Sequence, residues 1–336
     1  MGMIVEGKWV SDDKIIQNSA YIREMSKFTD PIELEANTTI GSEPRYWLIA
    51  SKSCPWSHGA TIVRSLHKLE GQVGLHTAHG PRIEGYAIDG GESWNVPGTS
   101  ERIEHLHQLY TLANKTFTGR STIPVLWDAK ALTILSNDSR SIMRSLSEMG
   151  KASGDGSYNL APIEIRSDID AMIDWLFADL SNAVYRAGFA ESQLAYDEAE
   201  TTVFATLDAL ENRLSDQRYL LGAQITEADW RLFATLVRFD SVYVILHRCC
   251  RKRLTDYPAL WSYARELYAL PGVAETVDFP EILRGSYLND TSNNPHNIIP
   301  VLPDVDWNAP HDRHQIGAAK QSNEPAHATI QEQAAP

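Results

Sequence analysis

One change of rhythm constrains this 336-residue chain more than any other feature: near residue 150, mixed short apolar runs give way to almost unbroken helical periodicity. Upstream, Tyr46-Trp47-Leu48-Ile49-Ala50 reads as a buried strand, since its apolar residues follow one another without a helical gap. Ala60, Ile62, Val63, Leu66 and Leu69 then recur at helical spacing and predict a helix that stops at Gly71. Val73 to His79 predicts a second strand. Ile123-Pro124-Val125-Leu126-Trp127 and Thr133-Ile134-Leu135 flank Asp128-Ala129-Lys130 as a hairpin would, and a helix from Ser139 to Leu146 closes the unit. That order suits a small α/β domain.

Downstream, Lys151 to Asn159 is polar and rich in Gly and Ser, as a linker is. Ile169, Met172, Ile173, Leu176, Phe177 and Leu180 then form one apolar helical stripe, and Tyr196, Ala199, Val203, Leu207, Leu210 and Leu214 a second. Thr226-Glu227-Ala228-Asp229 is a capping box that opens a helix running toward Leu246. Pro258 to Leu270 and Val273 to Leu283 predict two more helices. Residues 304–336 are polar, rich in Ala, Gln and Pro, and predict a disordered tail. The expected organisation is an extension over 1–40, an α/β domain over 41–150, an all-helical domain over 160–303, and the tail. No solenoid period interrupts it.

Charge and composition remove whole classes of function. Thirty Lys and Arg against forty-four Asp and Glu leave a net charge of −14, which argues against a nucleic-acid surface. No apolar run reaches the 18 or so residues of a membrane span. The start MGMIVEGKWVSDDK lacks the basic-then-apolar pattern of a secretory leader and the Ser or Thr of a myristoylation signal, so a cytoplasmic protein is expected. Three cysteines make no disulfide framework, and Cys249-Cys250 are expected to be idle thiols. The eleven histidines show no zinc-type spacing, and no metal is expected.

Three short stretches can carry chemistry. Cys54-Pro55-Trp56-Ser57 lies between the first strand and the first helix, where unpaired backbone N–H groups and the helix dipole favour a thiolate. Pro55 suits a first helical position. Ser57 stands where a C-x-x-C pair would have its resolving cysteine, so Cys54 needs an external thiol to turn over. In Thr122-Ile123-Pro124-Val125, a proline inside an apolar strand requires either an edge strand or a cis bond; the latter would turn the Ile123 backbone toward a peptide-like ligand. Asn137-Asp138-Ser139 opens the closing helix, where it can cap the helix, bind the ammonium and carboxylate of a ligand, or do both.

Together these features resemble a glutathione transferase, and in particular the Xi class of glutathionyl-hydroquinone reductases. Cys54-Pro55-Trp56-Ser57-His58 stands where that family has Cys-Pro-Trp-Ala-His, and Arg120-Ser121-Thr122-Ile123-Pro124-Val125-Leu126-Trp127-Asp128 matches its Arg-x-Thr-Val-Pro-Val-Leu-Trp-Asp. Its Val-Tyr-Arg-Ala-Gly-Phe-Ala is present unchanged as Val184 to Ala190, and Thr226 to Phe233 and Val237 to Val244 also match. The resemblance spans about residues 40 to 303. It implies a thioredoxin-like domain followed by an all-helical domain, and glutathione as co-substrate. The implied reaction removes glutathione from an aromatic S-conjugate through a mixed disulfide on Cys54. It implies Tyr185 and Tyr287 as catalytic tyrosines and Trp94, Arg120, the Ile123 backbone, Asp138 and Ser139 as glutathione contacts. A homodimer built through the helical domain is implied as well.

The chain departs from the family in three places. Gly59 replaces an arginine after Cys-Pro-Trp-x-His, which predicts loss of a cation near the thiolate. Ser286-Tyr287-Leu288 stands for His-Tyr-Tyr, and Asp138 is shorter than the usual glutamate. An altered aromatic acceptor follows as an expectation. The competing readings are a transferase or lyase acting on another electrophile (a thioether, ether or halide) and a non-catalytic glutathione-binding module.

Overall fold

Tyr46–Ala50 carries apolar side chains on both sides because it runs through the middle of a four-stranded sheet. The structure, a computed structural model, describes residues 2–11, 16–17, 20–21, 28, 32–153 and 158–316. The sheet order is Thr133–Ser136, Val125–Asp128, Tyr46–Ala50, Val73–Thr77. Ile49 lies opposite Val125 in an antiparallel pair and opposite His76 in a parallel one. Helix α1 (Pro55–Leu66) makes the crossover between the parallel strands. With α3 (Ser139–Ser153) it covers one face through Leu48, Ala50, Val63, Ile142 and Leu146. Helix α2 (Leu106–Ala113) covers the other face, where Ile49, Val125 and Trp127 meet Leu106, Leu109 and Tyr110.

Two boundaries differ from expectation. Helix α1 ends before Gly71 because Lys68 takes a left-handed conformation (φ 54°), so Leu69 is buried beyond the helix rather than within it. Helix α3 runs on to Ser153, through the first residues of the expected linker; of that linker, 154–157 lie outside the described residues. The N-terminal segment is tied to the α/β half: Ile4 is fully buried and exchanges two backbone hydrogen bonds of 2.8 Å with Gly119.

The second half is helical, as its periodicity requires, but its stripes are broken. Helix α4 (Arg166–Leu176) gives way to a wide π-type turn, Phe177–Ser181, before α5 (Ala183–Gly188). Helix α6 (Gln193–Asp216) is continuous. Helix α7 (Glu227–Arg238) ends in a second wide turn, Phe239–Tyr243, short of Leu246. Its start is the expected capping box: Asp229 Oδ2 accepts from Thr226 N (2.8 Å) and Oγ1 (3.0 Å), and Oδ1 from Leu220 N and Tyr263 Oη. Helix α8 (Pro258–Tyr268) follows, and α9 (Phe279–Tyr287) begins later than predicted because Asp278 caps it by accepting from Glu281 N.

The tail also departs from expectation. Trp307 packs on Trp261, Tyr268 and Phe279, and the Arg313 guanidinium, buried, donates to the carbonyls of Leu214, Gln217 and Arg218. A polar composition concealed two anchors; the remainder, 317–336, lies outside the described residues. Among the described residues no helix is long and apolar enough to cross a membrane.

Candidate functional site

Cys54 is the N-cap of α1, with extended backbone (φ −84°, ψ 118°) and Pro55 in the first turn. The strand ends at Ala50, so the thiol sits where chain direction reverses from sheet to helix, in front of the helix's unpaired N–H groups. The Ile123–Pro124 bond is cis, which resolves the two readings left open by the sequence. The Ile123 carbonyl faces the thiol, with Cys54 Sγ donating to it at 3.9 Å. Cys54 is 5% exposed.

The Cys54 turn is held from below by Arg238, a residue the sequence reading did not single out. Its guanidinium donates to Lys52 O (2.7 Å), Ser53 O (3.2 Å), Ala234 O (2.8 Å) and His58 Nδ1 (3.0 Å). None of these partners is an anion. Burial lowers the Arg238 pKa, and the acidic groups that oppose it are Tyr243, Tyr185 and Cys54. Because Arg238 donates to Nδ1, the His58 proton resides on Nε2, which donates to Thr276 Oγ1 at 2.9 Å. Burial and then the Arg238 charge hold the His58 imidazole well below its ordinary range, so it is neutral. His58 is buried at the base of the Cys54 turn.

The same geometry corrects the reading of Gly59. A Cβ there would meet Met143 Sδ of α3 at 2.6 Å, so position 59 points at α3. The cation beside Cys54 comes from the other half of the chain.

A cleft of about 390 Å³ separates the two halves. Its lining includes Pro55 and Trp56 from the first turn of α1, Asp138 and Ser139 from the start of α3, and Phe177 and Arg231 from the helical half. Asp138 Oδ1 accepts from Ser141 N and Oγ, both at 2.8 Å, which makes it the cap of α3. Ser139 Oγ accepts from Arg231 at 2.8 Å. Asn137 is committed to the core: its Nδ2 donates to Tyr110 Oη and Thr122 Oγ1.

Tyr185 lies against Trp56, with ring centroids 5.0 Å apart, and also touches Tyr243 (5.8 Å) and His247 (5.0 Å). Tyr243 and His247 are buried behind it; burial pushes the Tyr243 phenol up to about 12 and the His247 imidazole down to about 4. Trp56, in the first turn after Cys54, thus meets a half-buried phenol of α5 on a neutral aromatic backing. Arg82, also unforeseen, reaches Ser53 Oγ at 3.3 Å and stacks over Tyr86 at 4.3 Å, while its N–H donates to Asn289 Oδ1. Its loop, between Gly80 and Gly98, has no periodicity from which such a contact could be read.

Three further expected site residues lie away from the lining of the cleft. Trp94 stacks on His76 (4.2 Å) and tilts against Trp47 (6.2 Å), so its ring contacts are on the sheet rather than on the Cys54 turn. Tyr287 is buried and donates to Ser241 O at 2.9 Å, with burial raising its pKa. Arg120 is half-buried and lies between Gly119, paired with Ile4, and the bend at Ile123.

A cysteine capping a helix opposite a cis-proline carbonyl, with a helical half closing a cleft over the same turn, defines the glutathione transferase fold. The family model for the C-terminal domain of glutathione S-transferase matches residues 193–266. Glutathionyl-hydroquinone reductase YqjG of Escherichia coli (strain K12) is 37% identical over 93% of this chain and 98% of its own length. Glutathionyl-hydroquinone reductase PcpF of Sphingobium chlorophenolicum is 36% identical over 90% and 96%. Among solved structures, a Xi-class transferase from Natrialba magadii superposes with a TM-score of 0.83 at 34% identity, covering 94% of this chain and 97% of the other. Glutathione-bound YqjG superposes with a TM-score of 0.80 at 36% identity, covering 93% and 99%. The chain belongs to the Xi-class glutathione transferases, the family of the glutathionyl-hydroquinone reductases.

Proposed function

We propose that this chain is a glutathionyl-hydroquinone reductase in which Cys54 takes the glutathionyl group from an aromatic thioether. The observation that carries the reading is the placement of Cys54: an N-cap thiol against the Ile123 carbonyl, one residue from the cleft and one ring contact from Tyr185. The Cys54 thiolate attacks the glutathionyl sulfur; the aryl C–S bond breaks and a Cys54–glutathione disulfide forms. The electron pair left on the ring carbon is protonated by the Tyr185 phenol, releasing the hydroquinone. A second glutathione thiolate attacks the glutathionyl sulfur of the mixed disulfide, giving oxidised glutathione and Cys54 thiolate. The aromatic carbon is reduced by two electrons, one from the thioether sulfur of the conjugate and one from the thiol of the second glutathione, and the two sulfurs are joined.

In this reading the Ile123 backbone pairs with the cysteinyl unit of glutathione. Ser139 and the N-terminus of α3 receive the γ-glutamyl carboxylate, and Asp138 Oδ2 its ammonium, Oδ1 being occupied by Ser141. Arg120 takes a glycyl carboxylate. Tyr185 is the acid; Tyr287 and Trp94, by the contacts above, act on the site through Ser241 and His76. A homodimer in the cytoplasm completes the proposal, with family resemblance as its support.

The test is a product assay. With a glutathionyl-hydroquinone and glutathione, the protein is expected to yield hydroquinone and oxidised glutathione in equal amounts, and Cys54→Ala to yield neither. Normal turnover by the alanine variant would overturn the role of Cys54. Conversion of haloaromatic or ether substrates without any hydroquinone formation would favour the transferase reading instead.

A further inference from the structure

The loop that carries Arg82 and Tyr86 also brings Glu84 to the start of α2, into a group of side chains that the proposed chemistry does not use. Glu84, His105 and His107 each offer one ligand atom, and these atoms lie within 4.8 Å of one another. The closest pair, Glu84 Oε2 and His107 Nε2, is 3.1 Å apart. The His107 ring is stacked on Trp9 (centroids 4.8 Å, 23°) and lies nearly parallel to His105 (5.8 Å, 24°), so both imidazoles face the same side of the helix start. His105 is the N-cap of α2, and its backbone N–H donates to Gln108 Oε1 at 2.9 Å, which fixes the frame from which both rings project.

We propose that Glu84, His105 and His107 form a three-ligand site for a divalent transition metal of the zinc type, with a fourth position open to water. Zinc–nitrogen and zinc–oxygen bonds of about 2.0–2.2 Å place tetrahedral ligand atoms about 3.3–3.5 Å apart. The Glu84–His107 pair stands near that distance, and the wider separations, up to 4.8 Å, close by side-chain movements of at most about 1.5 Å. Two imidazoles and one carboxylate select zinc-type ions over calcium or magnesium. Histidines at i and i+2 with a carboxylate 21 positions upstream match no zinc spacing, so sequence reading passes them over. A bound ion ties the Gly80–Gly98 loop to α2; through Arg82, whose guanidinium touches Ser53, it steadies the turn that carries Cys54.

The site is tested by zinc competition against a chromophoric chelator of micromolar affinity, on full-length protein whose accessible thiols have been alkylated so that cysteine cannot ligate. One zinc ion per chain is expected, unaffected by excess calcium. Glu84→Gln, at an exposed position, and His105→Asn are each expected to weaken binding by at least about 10- to 100-fold. Circular dichroism monitors the fold of each variant. Failure of the alkylated wild-type protein to compete for zinc overturns the proposal. Equal binding by wild type and Glu84→Gln and His105→Asn also overturns it, since the ion then sits elsewhere.

Discussion

The two helix starts beside the cleft, at Cys54 and at Asp138, are secured by opposite means. At the Asp138 end, the support is local: Asp138 caps its own helix through Ser141, three residues away. At the Cys54 end, the support is remote: the carbonyls of Lys52 and Ser53 are held by Arg238, some 185 residues later in the chain. Asp138 itself needs only its own helix, although Ser139 beside it accepts from Arg231 of the helical half. The Cys54 end is complete only when the helical half docks, so the reactivity of Cys54 and the docking of the two halves are one event. Each prediction below breaks or sharpens that contrast.

Removing the remote support has the largest effect. Arg238→Met leaves three carbonyls and His58 Nδ1 without their donor, in a place water does not reach. Hydrogen bonds from a charged donor contribute about 1.5–3 kcal/mol each, partly offset by the cost of burying the cation. A net loss of about 3–5 kcal/mol is expected in urea unfolding, with Arg238→Lys losing less. Activity is expected to fall in parallel as the Cys54 turn loosens.

Acid acts on the same end. The unfolded chain protonates His247 near 6.5, whereas burial holds the folded imidazole down to about 4. Between those values the unfolded state binds the extra proton, so stability is full above about pH 6.5 and falls as pH drops. The loss reaches about 3 kcal/mol by pH 4, at about 1.4 kcal/mol per pH unit. His58, buried beside Arg238, acts in the same direction. Urea midpoints measured from pH 7 to 4.5 check this, and His247→Gln should flatten the curve.

Smaller effects discriminate further. Gly285 of α9 presses on the Cys54 turn: a Cβ there would lie 2.3 Å from Ser53 Cβ, and Ser53 is short and held by Ser51 and Arg82. Gly285→Ala is expected to cost about 1–3 kcal/mol and to slow turnover more than it raises the glutathione KM. Asp138→Ala, at the locally supported end, is expected to cost about 1 kcal/mol of stability as a lost cap. It should instead raise the glutathione KM with kcat nearly kept. Equal effects of the two variants on KM would erase the distinction between the ends.

The same contrast explains what was legible in the sequence. The individual strands, the Cys54-Pro55 turn, the Asp138 cap and the Thr226–Asp229 box are written in residues at most a few positions apart, and each is readable. Arg238 lay inside a quoted motif, yet nothing in Val-Arg-Phe-Asp says that its guanidinium reaches the loop before Cys54. The breaks at Phe177–Ser181 and Phe239–Tyr243 were missed because a wide turn keeps an apolar stripe nearly in phase. Arg313 and Trp307 were missed because two anchors do not change the composition of a polar tail.

The most direct measurement of the central claim is intact-mass and peptide analysis of the protein mixed with one equivalent of a glutathionyl-hydroquinone and no free glutathione. The account predicts one glutathionyl group per chain, on the peptide containing Cys54, released as oxidised glutathione when glutathione is added. Hydroquinone formed while Cys54 stays unmodified, or a glutathionyl group found only on Cys250, would contradict it.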